Sequence, residues 1–347
     1  MKVAIHGSYF GDNFGDSLFV LQYVKYLNEI GISNEDIYLI SAGSRIRNYA
    51  KVSSIKGLKA IKEANRIIFI GGGYFGERKE KQLIWHLRFW VRHISICLAC
   101  IFYGKRYAFF GVGAGPQSNL ISRKLSKLAV NGSEFFSARD KISFEFLLKI
   151  GVKSEKLIEV ADSLISYPKI HSKENKTKKL LIHMPKSADH DNSIESILRE
   201  LKNGLTEIHE VTVVRDFYKP SFIDVTERIS KDIFKNIKVF EYKSPESLMD
   251  LICASDLVIT IKLHVGILAL TQGKFVISTY VHEKTPRFYA QMNADVNCFA
   301  LKKLNEKERK RFKQVLKRYN KQENIQIPSE LVEKSKENFT LLEKFIQ

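Results

Sequence analysis

Three times in its first 116 residues the chain runs a short apolar stretch into a cluster of glycines. Val3–His6 leads into the loop 7–16 and then a helical pattern through Leu18, Leu21, Val24 and Leu27. Ile67–Ile70 leads into Gly71, Gly72 and Gly73, and Tyr107–Phe110 leads into Gly111, Gly113, Gly115 and Pro116. Strands that alternate with helices dictate an α/β fold with a parallel sheet, because neighbouring parallel strands need a long crossover between them. Glycine at a strand end permits positive φ and lets the backbone approach a ligand closely. Three such loops are expected along one edge of one sheet.

The same alternation continues. Phe135–Ala138 ends at Arg139 and Asp140, with a helical pattern through Ile142, Phe146 and Leu147, and the triplet Ala161, Asp162, Ser163 follows another short strand. From Tyr167 to Lys179 the sequence turns polar and lysine-rich, which marks a linker. Strand patterns resume at Leu180–His183, Glu210–Val214, Lys238–Phe240, Leu257–Ile261 and Phe275–Ser278. The expected organisation is an N-terminal domain over 1–166, a linker over 167–179, a second parallel-sheet domain over 180–304 and charged C-terminal helices over 305–347. A length of 347 residues accommodates two cores of this kind.

Lys and Arg number 56 against 38 Asp and Glu, a net charge of +18. The resulting field favours phosphates, acidic glycans, nucleic acid or anionic membrane. No RNP-like or other nucleic-acid module accompanies it, so nucleic acid is not an expected partner. No apolar run approaches about 18 residues, so no transmembrane helix is expected. The N-terminus reads directly as a strand and not as a secretory signal, which points to the cytoplasm, with reversible association at anionic lipid open to so basic a chain. Cys97 and Cys100 form one C-x-x-C pair inside the apolar run Ile94–Tyr103, with no second pair to complete a zinc site; buried thiols and no metal are expected. The aromatic, basic stretch before it, 85–93, fits either a membrane interface or a core helix, and its wide helical face favours the core.

The candidate chemistry lies at strand ends. Open α/β sheets bind ligands outside the carboxyl ends of their strands. The run 256–264 is a buried strand that delivers Lys262 and His264 to a strand-to-helix junction, where an anion meets side-chain charge and free helix N–H groups together. Arg139 at another strand end can grip phosphate or carboxylate through two parallel hydrogen bonds, or pair with its neighbours. The first loop lacks the G-x-G-x-x-G spacing and the chain has no P-loop, so neither a dinucleotide nor an NTP site of those kinds is supported. Asn13, Gly15 and Asp16 can instead shape a helix start.

Taken in order, these motifs resemble those of the polysaccharide pyruvyl transferase family. The family's glycine-asparagine-x-glycine-aspartate element is similar to residues 12–16, with Asp12 in place of glycine and Asn13, Gly15 and Asp16 retained. Its triple glycine matches Gly71, Gly72 and Gly73. Its glycine-x-glycine-x-glycine-proline element matches Gly111, Gly113, Gly115 and Pro116. Arginine-aspartate with a serine three residues on matches Arg139, Asp140 and Ser143, and an aspartate near Asp162 follows. Arginine-leucine-histidine matches Lys262, Leu263 and His264, with lysine for arginine; tyrosine with a lysine four residues later matches Tyr280 and Lys284.

The resemblance spans roughly residues 1–300. It implies two Rossmann-like parallel-sheet domains facing a cleft, a GT-B-like arrangement with the acceptor side in the N-terminal domain and the donor side in the C-terminal one. It also implies transfer of a pyruvyl group from phosphoenolpyruvate to two hydroxyls of a sugar, closing a cyclic ketal on a surface polysaccharide or its lipid-linked precursor. No cofactor is implied beyond the donor substrate. In such a reaction Arg139 and Lys262 take the donor's anionic ends, the glycine-loop N–H groups assist, and His264 is the candidate acid. Asp140 or Asp16 orients the acceptor or takes a proton. Lysine at position 262 keeps the charge but loses the two-point fork of arginine. A GT-B-like glycosyltransferase using a nucleotide sugar, and a glycan- or membrane-binding protein without turnover, are the competing expectations.

Overall fold

The computed structural model describes the chain apart from residues 12, 78–81, 171–176, 185–189, 216–224 and 282–283. Asp12 and half of the expected linker therefore lie outside the described residues. Contacts divide the chain into two compact units, 1–166 with 329–347, and 167–328.

The first unit is built on a seven-stranded parallel sheet of β1 (Val3–His6), β2 (Ile37–Ile40), β3 (Ser53–Ile55), β4 (Arg66–Phe75), β5 (Arg106–Ala114), β6 (Phe136–Ala138) and β7 (Leu157–Glu159), in the order 3-2-1-4-5-6-7. β1, β2 and β6 are buried along their whole length, as parallel strands covered on both faces must be. Their core is aromatic: the rings of Phe69 and Phe109 lie 4.5 Å apart and those of Phe109 and Phe136 4.8 Å. Each such side chain contributes about 1.5–3 kcal/mol by leaving water.

β4 and β5 do not stop at their last large apolar residue; they run on through Gly71–Gly73 and through Gly111 and Gly113. Their pairing continues from Arg66 opposite Arg106 to Phe75 opposite Ala114, with a register shift between Gly72 and Phe75. The glycines are thus bare stretches of strand, and Gly72 takes φ +101°, which a side chain rarely allows.

The second unit carries β8 (Lys179–His183), β9 (Glu210–Arg215), β10 (Lys238–Glu241), β11 (Leu257–Thr260), β12 (Phe275–Tyr280) and β13 (Cys298–Ala300), all parallel, in the order 10-9-8-11-12-13. Both sheets therefore share the doubly wound order in which the first strand lies beside the fourth. The core packs Leu180, Ile182, Ile259 and Ile277 against Leu198, Leu201, Phe312 and Leu316. The two C-terminal helices part company: Glu306–Asn320 belongs to this core, whereas Ser329–Ile346 returns to the first unit.

Cys97, Cys100, Cys253 and Cys298 are free and buried. Burial pushes the Cys100 and Cys298 thiols up to about 12. Among the described residues no group of His, Cys, Asp or Glu is arranged to hold a metal ion.

Candidate functional site

In the first unit the charged group is Arg139, the residue after β6. Its side chain reaches back across β5 to β4. A Cβ added at Gly113 on β5 would stand 2.6 Å from its Nε, and one added at Gly73 on β4 would stand 3.2 Å from its Nη2. The two glycines are the floor on which the guanidinium lies, so the glycine motifs serve the arginine as well as any ligand. Nη1 faces Asp162 Oδ2 at 3.5 Å, and Nε faces Asp140 Oδ2 at 3.7 Å. Both separations exceed the 2.7–2.9 Å or so of a tight charged hydrogen bond. The Arg139 side chain is only 10% exposed, so the pairing is not the solvated surface pair that is worth little.

Asp140 serves two purposes at once. Its Oδ1 accepts the Ser143 N–H at 2.7 Å and caps the helix Lys141–Lys149, while Oδ2 faces Arg139. Ser143 Oγ in turn accepts the Ala114 N–H at 2.9 Å, tying the end of β5 to that helix. Arg139, Asp140 and Ser143 are thus a sequence triplet with a mechanical reason for its spacing. Asp162 has one oxygen on the Leu164 N–H at 3.2 Å and the other toward Arg139. The C-terminal helix braces this segment: Ser335 donates to the Asp162 carbonyl at 2.8 Å and Asn338 to the Ala161 carbonyl at 2.9 Å. Sequence reasoning gave Asp162 a place but no task, because its partner is 23 residues away.

Asn13 occupies the N-cap position of the helix Phe14–Glu29, and its amide donates to Asp16 at 3.1 Å. Gly15 is buried in the first turn. Gly115 ends the β5 segment at φ +65°, against Phe146. At the end of β1, between the first loop and β4, His6 Nε2 lies 2.9 Å from His93 Nδ1, both rings buried. Burial drives His6 down to about 3 and His93 well down too, so this pair is neutral near pH 7.

In the second unit the candidate residues gather after β11. β11 lies between β8 and β12, at the point where the winding reverses, and it ends at Thr260. Thr260 Oγ1 accepts the Lys262 N–H at 2.9 Å, and Lys262 is the N-cap residue of the helix Leu263–Thr271. Leu263 and His264 are buried in its first turn. Tyr280 ends β12, which pairs with β11 up to Ser278 opposite Thr260, and Lys284 opens the helix Lys284–Gln291. His183, at the end of β8 opposite Thr260, completes this edge. It went unremarked in the sequence, although it too is a polar residue closing an apolar run. A cation and an imidazole at a helix start over a winding reversal can receive an anion and exchange a proton with it.

A family model described as polysaccharide pyruvyl transferase matches residues 13–283. The chain belongs to the polysaccharide pyruvyl transferase family. It is by that membership a transferase. The match takes in both strand-end clusters, from Asn13 through Arg139 and Asp162 to Lys262, His264 and Tyr280. No curated protein matches the chain in sequence.

Solved structures add the fold. Staphylococcus aureus MnaA in complex with UDP is similar at TM-score 0.63 and 12% identity, over 100% of this chain and 97% of that one. The UDP-GlcNAc 2-epimerase of Neisseria meningitidis bound to UDP-GlcNAc gives 0.62 and 15%, over 99% and 100%. A glycosyltransferase of Rickettsia africae gives 0.58 and 13%, over 100% and 99%. This pyruvyl transferase family member therefore has two parallel-sheet α/β domains of the kind found in GT-B-type proteins.

Proposed function

We propose that this transferase moves a pyruvyl group from phosphoenolpyruvate to two hydroxyls of one sugar on a surface polysaccharide or a lipid-linked glycan precursor, forming a cyclic ketal. The observation that carries the reading is Lys262 beside His264 at the winding reversal of a doubly wound sheet, within a chain of this family. Phosphoenolpyruvate is anionic at both ends and basic at its methylene carbon. Lys262 and the free N–H groups of the helix start meet one anionic end. His264 gives a proton to the methylene carbon, which becomes methyl, and the adjoining carbon turns electron-poor. One sugar hydroxyl adds to that carbon and loses its proton; the carbon–oxygen bond to phosphate breaks, phosphate leaves, and the second hydroxyl adds with loss of its own proton. The products are the ketal and inorganic phosphate.

Arg139 is proposed to meet an anionic group of the reactants. Its contacts to Asp140 and Asp162 are long enough to be exchanged for an incoming oxyanion. Tyr280 at the end of β12, Lys284 at the following helix start, and Asn13 and Asp16 at the first helix start are proposed to supply donors and acceptors for the hydroxyls of the glycan. The test is a panel of donors with lipid-linked sugar acceptors, scored by release of phosphate or nucleotide. Phosphate released from phosphoenolpyruvate only when acceptor is present is the expected result. Nucleotide release from a UDP-sugar instead would favour a second reading, glycosyl transfer, which the UDP and UDP-GlcNAc complexes of the structural neighbours motivate.

A further inference from the structure

We propose that the outer face of residues 82–102, with the adjoining face of the helix Leu120–Asn131, docks on an anionic lipid bilayer. The segments Gln82–Phe89, Trp90–Ile94 and Ser95–Phe102 follow one another without a break, the middle one as a π-helix, with helical backbone at Phe89 and Ser95. At 1.5 Å per residue they make a rod roughly 30 Å long. Its inner face is anchored: Phe89, Ile94, Cys97 and Cys100 are buried in the aromatic core. The sequence expectation of a core helix is right for that face alone. The outer face is apolar and uncovered, with Leu83 70%, Val91 72% and Phe102 81% exposed, and Leu87 between them half exposed. Leu120 and Ile121 extend the same surface at 62% and 55%. Trp90 Nε1 donates to Ser122 Oγ at 2.8 Å and His86 Nδ1 lies 2.9 Å from the same oxygen, so the two helices are held side by side.

Charge identifies the occupant. None of the chain's 38 acidic residues falls between Gln82 and Ser133. The exposed charges on these helices are Arg88, Arg92, Arg123, Lys124 and Lys127, all of one sign. A second copy seated on this face by twofold symmetry would set these cations against themselves. A bilayer containing acidic headgroups meets both halves of the pattern, taking the aliphatic side chains into its boundary and the cations at its surface. No helix among the described residues is long and apolar enough to cross a membrane, so the face lies on the bilayer and does not span it.

Topology gives the docked chain a direction. Both helices begin where a strand ends, after β4 and after β5, so Leu83, Leu87, Leu120 and Ile121 lie at the carboxyl end of the sheet with Gly73, Gly113 and Arg139. A sugar carried on a lipid would be presented at that end; this clause alone rests on the proposed function.

The test is flotation of the full chain with phosphatidylcholine vesicles, with and without phosphatidylglycerol, in the absence of any substrate. Association with the anionic vesicles only, weakened by salt, is expected. Val91→Glu with Phe102→Glu should lower it by about tenfold or more, and Arg92→Gln with Lys124→Gln should lower it and flatten its salt dependence. Unchanged circular dichroism and unfolding temperature establish that the variants fold. Flotation untouched by the glutamates, equal binding to neutral vesicles, or self-association that Val91→Glu abolishes would overturn the proposal. Because flotation is read without donor or acceptor, failure of pyruvyl transfer would leave it standing.

Discussion

The two sheets have the same winding, yet they hold their charged strand ends by different means. Arg139 in the first unit is positioned by partners from across the sheet: a bare Gly113 on β5, a bare Gly73 on β4, and carboxylates at 140 and 162, the last braced by Ser335 of the C-terminal helix. In the second unit the Thr260 hydroxyl accepts the Lys262 N–H, Lys262 caps the helix Leu263–Thr271, and His264 is buried in its first turn. The first cluster is therefore sensitive to substitutions remote in sequence.

The sharpest break of this comparison is at position 264. His264→Ala removes a proton donor and no anion clamp, so kcat should fall by about 10²–10⁴ while phosphoenolpyruvate still protects the chain from heat. A near-normal rate would remove His264 from the acid role. Arg139→Ala should act on the other side of the division, weakening donor binding by about 1.5–3 kcal/mol, the worth of a charged hydrogen bond. A fall in kcat with KM unmoved would instead make Arg139 a positioning residue. Gly113→Ala tests the remote dependence directly. The new methyl meets the buried, paired guanidinium itself, so a loss of activity of about tenfold is expected together with about 1–3 kcal/mol of stability. Activity and stability both unchanged would mean that the arginine does not depend on the bare glycine.

The histidines extend the comparison. His6 titrates near 3 in the folded chain and near 6.5 when exposed. Between those values the unfolded chain binds more protons, so stability is full above about pH 6.5 and falls as pH drops, by up to about 1.4 kcal/mol per pH unit for this group. Its neighbours His93, Tyr74 and Phe69 are all buried, and no carboxylate is seen against the ring to reverse the sign among the described residues. His6→Phe should flatten the acid limb of thermal unfolding measured against pH; an unchanged slope would place that limb on other groups. The smallest effect expected is that of Lys262→Arg, which restores the fork of the family motif. Donor binding should tighten a few-fold, within about 1 kcal/mol; a loss would mean that the lysine is tuned to a different anion.

Much of this architecture is legible in the sequence alone. Val3–His6, Lys179–His183 and Leu257–Thr260 are strands, as their short apolar runs predict. The glycine segments misled for a physical reason. An apolar pattern records side chains, and glycine has none, so the pattern ends β4 and β5 at Ile70 and Phe110 while the strands run on to Phe75 and Ala114. Short strands such as Ser53–Ile55 and Cys298–Ala300 carry too few residues to show a period at all.

The residue order by itself determined that the chain alternates strand and helix twice over, and that Lys262 and His264 close a buried strand beside a helix start. Backbone propensity and burial act within a few residues, so such features are written locally. Only the tertiary structure decided that Arg139 lies over Gly113 and Gly73 and faces Asp162, and that one side of residues 82–102 meets the core while Leu83, Val91 and Phe102 stay outside it. Those outcomes depend on which strand lies beside which, and strand neighbours are chosen by the packing of the whole sheet.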